Sequence, residues 1–261
     1  MKSTSHLLKL AALVAASLVA SGAQAAVFTY FGNYAAAAGT VPAAATAYRT
    51  IFTDTLASFR TETFEGQTAG TSPTTGTPLP VLATTASIAP LSNVAPGSSA
   101  VQNVNGLPLG FTGRFNTTPA PFTGSLGQWW ETSRSFTLRL NTAASAFGFY
   151  ATDLGDFGGL LTMDVCSGAS CTPIGLGGPT SGSNGSLLFF GYANDTQTFD
   201  RVIFNIAQAS GRPVGQFDGI GFDDLIVGNL RMGTGVPEPT SLALAGLALC
   251  LVAAGKRRTQ V

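Results

Sequence analysis

The acids are the first residues of this chain whose type and placement promise chemistry. Asp223 and Asp224 stand among Ile220, Phe222, Leu225, Ile226 and Val227, so whichever carboxylate turns inward lies in apolar company. A buried carboxylate without compensation is costly, and residues 26–235 contain no Lys, which makes a metal ion a ready compensator. A bulge facing water, or pairing with Arg60 or Arg201, would serve as well. Asp153 and Asp156 bracket Gly155 and precede Gly158 and Gly159. That is a tight acidic turn able to ligate an ion or cap a loop, without the longer ligand ladder of an EF-hand. Glu62, Glu65 and Glu131 are candidates for the paired acids of glycoside hydrolysis, where one carboxyl stays protonated and the other ionised. Their spacing does not by itself set two of them across a cleft.

Two further groups carry chemistry of other kinds. Trp129, Trp130 and Tyr150 offer flat faces to sugar rings, and Asn116 and Glu131 can exchange hydrogen bonds with hydroxyls. The same rings suit a hydrophobic core. Neighbouring strand residues point to opposite faces, so one of the two tryptophans is expected in the core and the other at the surface or under a covering segment. Cys166 and Cys171, separated by four residues, would read as a local disulfide across a hairpin loop if the chain is exported. Two thiolates without His or further Cys nearby make a poor zinc site.

Composition removes whole classes of function. Of the 261 residues, the only His is His6, and residues 26–235 hold eight Arg against twelve acids, a net charge of −4. Imidazole-based triads and imidazole metal sites are therefore excluded from the body, and no basic stripe exists to neutralise phosphates, so no nucleic-acid partner is expected. No nucleophile elbow, phosphate loop or cofactor fingerprint is present. The chain reads as a non-enzyme, with a secreted glycan-acting hydrolase as the alternative.

The elements that must position these residues are mostly strands. Phe136, Leu138 and Leu140 alternate with polar residues, and so do Phe147 with Phe149 and Val202, Phe204 and Ile206. A last strand runs through residues 220–227, bounded by Gly219 and Gly228. Residues 66–113 hold no charge at all. Val81, Leu82, Ile88, Leu91, Val94 and Val101 within them suggest short strands between Pro and Gly turns rather than a linker. One short amphipathic helix is expected over residues 42–59, with Pro42 at its start and Tyr48, Phe52, Leu56 and Phe59 on one face. The fold expected is all-β: an antiparallel, jelly-roll-like β-sandwich with one short N-terminal helix and a C-terminal hydrophobic helix.

Both ends of the chain read as addresses. Lys2 and Lys9, the apolar run 10–20 and Ala23, Gln24 and Ala25 form the order basic region, apolar core and small-x-small site. This predicts a signal peptide over residues 1–25, cleaved after Ala25. At the other end Pro237, Glu238 and Pro239 precede the apolar run 240–255, which is followed by Lys256, Arg257 and Arg258. The two prolines keep their stretch out of helix and sheet, and the basic cluster stays inside a membrane. The run of 16 residues falls short of the roughly 20 of a comfortable span, which suits a temporary anchor. Residues 236–261 resemble the PEP-CTERM sorting signal of Gram-negative bacteria. The resemblance implies processing by an exosortase-type enzyme, an intermediate anchored in the inner membrane, and a mature protein at the cell surface or outside the cell. It further implies an association with exopolysaccharide and biofilm.

The body, residues 26–235, carries a second resemblance. TFEG at 63–66, GRFNTT at 113–118, AFGFYATDLGD at 146–156 and GFDDL at 221–225 look like a recurrent ectodomain among PEP-CTERM proteins. The first and last of these also resemble terminal strands of carbohydrate-binding jelly-roll modules. That resemblance implies a structural calcium ion held by Glu65 and Asp224, and the acidic turn adds Asp153 or Asp156, with backbone carbonyls, as expected further ligands. The function expected is a non-catalytic binding or structural module contacting exopolysaccharide through Trp129, Trp130 and Tyr150.

Overall fold

Thirteen strands and one helix, all antiparallel in their sheets, build two stacked layers in a computed structural model that describes residues 25–32, 41–91, 99–103, 113–118, 127–154, 159–176, 185–208 and 219–231. The first layer contains β1 (Ala26–Gly32), β2 (Leu56–Glu62), β5 (Ser99–Asn103), β6 (Gln128–Thr132), β8 (Ala146–Thr152), β11 (Leu187–Ala193) and β13 (Ile220–Leu230). Their order is β1-β11-β8-β13-β6-β5, and β2 also pairs with β13. The second layer has the order β10-β9-β12-β7-β4-β3. Its members are β3 (Leu79–Val81), β4 (Ala86–Pro90), β7 (Phe136–Ala144), β9 (Gly159–Ser167), β10 (Ser170–Ile174) and β12 (Phe199–Gln208).

The period-2 pattern does what it must. Phe147 and Phe149 of β8, Phe190 of β11 and Phe222 of β13 point inward and meet Phe136 of β7 and Phe204 of β12. The rings of Phe136 and Phe204 stack at 4.4 Å between centroids, and Phe222 meets Phe136 edge-on at 5.2 Å. Each such ring removes a large apolar area from water, and their contacts add to that burial.

The helix is shorter than the sequence pattern suggests. α1 spans Ala43–Asp54 with Pro42 at its N-cap, while Leu56 and Phe59 belong to β2. Pairing with the last strand wins over another helical turn: Leu56 lies opposite Leu230, and the Arg231 amide donates to Thr55 O. Phe52 alone of the four expected apolar residues on α1 is buried there, and Tyr48 is exposed. Its seat is cut into the outer face of the first sheet by two glycines facing each other in register, Gly148 on β8 and Gly191 on β11. A Cβ at either glycine would come within 2.8 Å of the Phe52 ring. These two glycines are needed for close approach rather than for backbone freedom.

The uncharged stretch 66–113 does contain strands, β3, β4 and β5, while Val94 lies outside the described residues. Residues 1–24 of the expected signal peptide, residues 236–261 of the expected sorting signal, and Asp156 also lie outside them. Among the described residues no helix is long and apolar enough to cross a membrane.

Candidate functional site

The site forms where the first sheet changes partners. Along one edge of β13, Ile220, Gly221 and Phe222 pair with β6, and from Leu225 onward the same edge pairs with β2. On the other edge Asp223 lies opposite Tyr150 and Ile226 opposite Gly148, so three steps on β13 match two on β8. That is a β-bulge, with Asp224 as its extra residue in the left-handed region at φ 47°. Asp tolerates this conformation better than most residues with a Cβ. Both carboxylates thereby turn up in the gap between β6 and β2, and both are buried, at 1% and 4% exposure.

Gln128 and Glu65 stitch that gap. The Gln128 side chain donates to the carbonyls of Phe64, Glu65 and Gln67, and its backbone amide donates to Glu65 Oε1 at 2.9 Å. Residues 113–118 then cross the outer face as a strap. Arg114 Nε reaches Glu131 at 3.0 Å and its Nη1 reaches Asp153 at 2.9 Å, while Phe115 joins α1 and Tyr150 in an outer hydrophobic cluster. Asn116 Nδ2 donates to Glu65 Oε1 at 2.7 Å. Thr117 donates its amide and its hydroxyl to Asp223 Oδ2 at 2.7 and 2.9 Å. The Thr118 hydroxyl lies 3.3 Å from Asp224 Oδ1.

Burial sets the electrostatics. Desolvation pushes the Asp223 carboxyl well above the usual carboxylate range, and repulsion from Asp224 adds to the rise. Asp224 is raised by the same burial, and the Arg49 guanidinium on α1 offsets part of it while Glu65 opposes that relief. Glu131 is raised by burial, with Arg114 pulling the other way. Trp129 Nε1 lies close enough to favour the charged form of Glu131, yet neither that N–H nor Glu131 Oε1 completes a hydrogen bond of good geometry. One outer face thus holds five carboxylates, Glu65, Glu131, Asp153, Asp223 and Asp224, facing two guanidiniums, Arg49 and Arg114.

The structure reassigns several of the residues singled out in the sequence. Trp129, Trp130 and Tyr150 present no face to solvent, at 0%, 1% and 2% exposure. The tryptophans do point to opposite faces: Trp130 enters the central core against Phe136, and Trp129 lies on the outer side beside Gly221. The outer ring is covered because the strap packs over it. Tyr150 sits under α1 against Phe189, its hydroxyl next to Thr46 and Arg49. None of the three forms a stacking platform.

The metal set is likewise redistributed. Glu65 and Asp224 come together at the seam, close enough for the Glu65 charge to act on Asp224. Asp153 does not join them, because its Oδ2 is bound to Arg114 and its Oδ1 accepts the Gly185 amide at 3.0 Å. Among the described residues no group of three or more His, Cys, Asp or Glu is disposed to hold a metal. The Asp pair offers two carboxylates and two threonine hydroxyls, a hard oxygen set of the kind calcium takes. Asp223, Arg114, Gln128, Thr117 and Thr118 complete the site. Their signal was available: GRFNTT brings the first charge after Glu65, at the end of the uncharged run.

The acids considered for hydrolysis have structural duties. Glu62 accepts the amides of Phe64 and Leu82, fixing a turn in which Leu82, Ala83 and Thr84 all have positive φ. Two grooves open elsewhere. One of about 390 Å³ lies between β2, β7 and β13 beside Phe59, and one of about 630 Å³ lies beside the β9–β10 hairpin and Asn194. Neither is lined by a carboxylate among the described residues. Cys166 and Cys171, opposite one another on β9 and β10, are joined by a disulfide.

No family model matches the chain, and no curated protein resembles it significantly in sequence. Two solved structures are similar in part. The K2 cleaved adhesin domain of Lys-gingipain shares 14% identity over 67% of this chain and 99% of its own, with a TM-score of 0.38. A mutant of CBM29-2, a family 29 carbohydrate-binding module, shares 15% identity over 53% of this chain and 100% of its own, with a TM-score of 0.28. At such scores neither likeness bears on function, and the reading rests on the residues themselves.

Proposed function

We propose that this chain is an exported, non-catalytic surface or matrix protein whose jelly-roll-like sandwich contacts exopolysaccharide. It loses a signal peptide, passes through an inner-membrane intermediate and is processed at its PEP-CTERM-like end by an exosortase-type enzyme. The observation that carries the non-catalytic part is the placement of the acids. Glu131, Asp153, Asp223 and Asp224 are all buried beneath the strap and α1, and among the described residues neither groove has a carboxylate to protonate a leaving group or activate water. The paired oxygens of Asp223 and Asp224, with Glu65 beside them, support a structural calcium ion as a stabiliser of the seam rather than a participant in chemistry. The ion would supply the positive charge that the five carboxylates lack.

The purified secreted protein should be retained on immobilised exopolysaccharide extracted from the producing cells, with no release of reducing ends over a day. Release of oligosaccharides would favour the hydrolase instead. Mass spectrometry of the same protein should place its N-terminus at Ala26 and find the residues after Pro239 missing. Recovery of the full-length chain from the surface would overturn the processing scheme.

A further inference from the structure

The outer face of the second sheet carries an arrangement that the fold does not require. Arg139 on β7 and Arg201 on β12 are directly opposite each other in register, flanked by Ser87 on β4 and Cys166 on β9. Directly opposed side chains on one face stand about 5 Å apart at Cβ, and two like charges there destabilise the pair. No described carboxylate forms an ion pair with either. Both ion pairs among the described residues belong to Arg114, and Arg139 is exposed without a hydrogen bond to any other side chain. Arg201 donates from Nη2 to Gly168 O and toward Cys171 Sγ, so it is held in place by the disulfide hairpin, and its buried Nε has no partner.

The two acids nearby accept from neutral groups, so they keep their charge and temper the pair without bonding to either guanidinium. Asp164, one row along on β9, accepts from Asn205 Nδ2 at 2.8 Å, and Asp200 accepts the Gly168 amide at 2.9 Å. Arg139 offers a free planar fork on a flat sheet with Ser87 beside it, and Arg201, anchored to the hairpin through Nη2, sets a fixed second positive charge opposite; a fork backed by a cation matches a carboxylate. We propose that the Arg139–Arg201 pair is a binding site for the carboxylates of an acidic, uronate-bearing polysaccharide. The proposal rests on the polysaccharide-contacting reading above and names its chemical class. Repeating phosphates fit less well: duplex DNA carries one charge per about 1.7 Å of axis, and two cations neutralise few of them. An acidic polysaccharide spaces its carboxylates by whole sugar rings.

Affinity electrophoresis of the secreted protein through gels containing polygalacturonate, dextran, dextran sulfate or duplex DNA tests this. Polygalacturonate should retard the protein, with retardation falling as salt rises. R139Q combined with R201Q should weaken that retardation at least ~10-fold, and R139Q alone, which breaks no hydrogen bond among the described residues, should weaken it while the melting temperature holds or increases. Equal retardation by dextran sulfate or DNA would mean plain charge attraction and overturn the uronate assignment. Retardation by dextran that the double variant leaves intact would overturn this site but keep the polysaccharide reading. Absence of retardation by any polysaccharide, together with no retention on the extracted exopolysaccharide, would remove both.

Discussion

The two outer faces of the sandwich have opposite characters. On the first sheet α1 and the strap 113–118, carrying Arg49 and Arg114, close over Glu131, Asp153, Asp223 and Asp224 with Glu65 half-buried beside them, so polar groups are expensive there. On the second sheet Arg139, Asn141 and Thr162 stand in solvent, and cross-strand charges of the same sign are tolerated. The comparison separates structure from contact. Acids that look like a functional site in the sequence are interior fasteners, whereas Arg139, unremarked in the sequence, and Arg201, considered there only as a partner for the Asp pair, stand on the outer face of the second sheet.

Breaking the covered face should have the largest consequences. Phe52→Ala empties the pit above Gly148 and Gly191, and a truncated, fully buried ring costs about 3–5 kcal/mol. Chemical denaturation should show that loss together with increased accessibility of Tyr150, whose cover is the same helix. A loss below about 1 kcal/mol would mean that α1 is an ornament on this sheet rather than its lid.

Arg114→Met comes next and probes the fasteners directly. It leaves Glu131 and Asp153 buried without their cation, a situation worth roughly 3–5 kcal/mol at neutral pH. The loss should shrink in acid. The folded-state pKa of Glu131 is already raised by burial, and without Arg114 it rises further. A raised carboxyl holds its proton in the native state, so the penalty is absent below the unfolded-state value and grows as pH rises through the folded one. Denaturation of the variant at pH 7.5 and pH 5 should therefore differ more than it does for the parent protein. Equal losses at both values would point to lost packing of the Arg114 stem instead.

Much of the fold could be read from the sequence because burial enforces period 2: Phe136, Leu138, Leu140, Phe147, Phe149, Val202 and Phe204 had no other way to share a core. The opposite orientation of Trp129 and Trp130 follows from the same rule. Their common burial does not, since it depends on a strap that returns to β6 from fifteen residues upstream. The end of α1 was also hidden, because local pattern cannot show that Leu56 is claimed by Leu230 across the sheet. Of the site, the convergence of Glu65 with Asp224 was reachable only through resemblance, and the capture of Asp153 by Arg114 required the three-dimensional path of the strap. The Arg139–Arg201 pair was invisible for a simpler reason: register between strands 62 residues apart is not written in either strand.

A smaller effect is expected at the bulge. Asp223 and Asp224 both have raised folded-state pKa values, so in chelator the parent protein should gain stability as pH falls from neutral toward the ordinary carboxylate range. Calcium should flatten that dependence if it sits on the pair. Asp224 accepts only from threonine hydroxyls, which can rotate, so Asp224→Asn keeps partners for its remaining oxygen. Asp223 accepts backbone amides of Thr117 and Asp224, which cannot turn to suit an Asn NH2 group. Asp224→Asn should thus melt at the same temperature as the parent or higher in chelator, and lower than the parent in calcium. The same difference from the parent in both conditions would remove the ion and leave hydrogen bonding alone.

The smallest effect belongs to the open face, and its smallness is what the comparison requires. Arg139 is exposed and ends no buried network, so Arg139→Gln alone should change stability by no more than about 0.5 kcal/mol. The sign should favour the variant, because the guanidinium opposite Arg201 is repelled and that repulsion is relieved without exposing apolar surface. High salt should erase the gain, since screening already weakens repulsion between solvent-exposed charges in the parent. Denaturation at low and high ionic strength, run beside Arg114→Met, measures the contrast: one arginine whose loss is large and pH-dependent, and one whose loss is slight and salt-dependent. A cost above about 1.5 kcal/mol for Arg139→Gln would show that the second sheet also keeps its charges for structure, and the division between a fastened face and a contact face would fall.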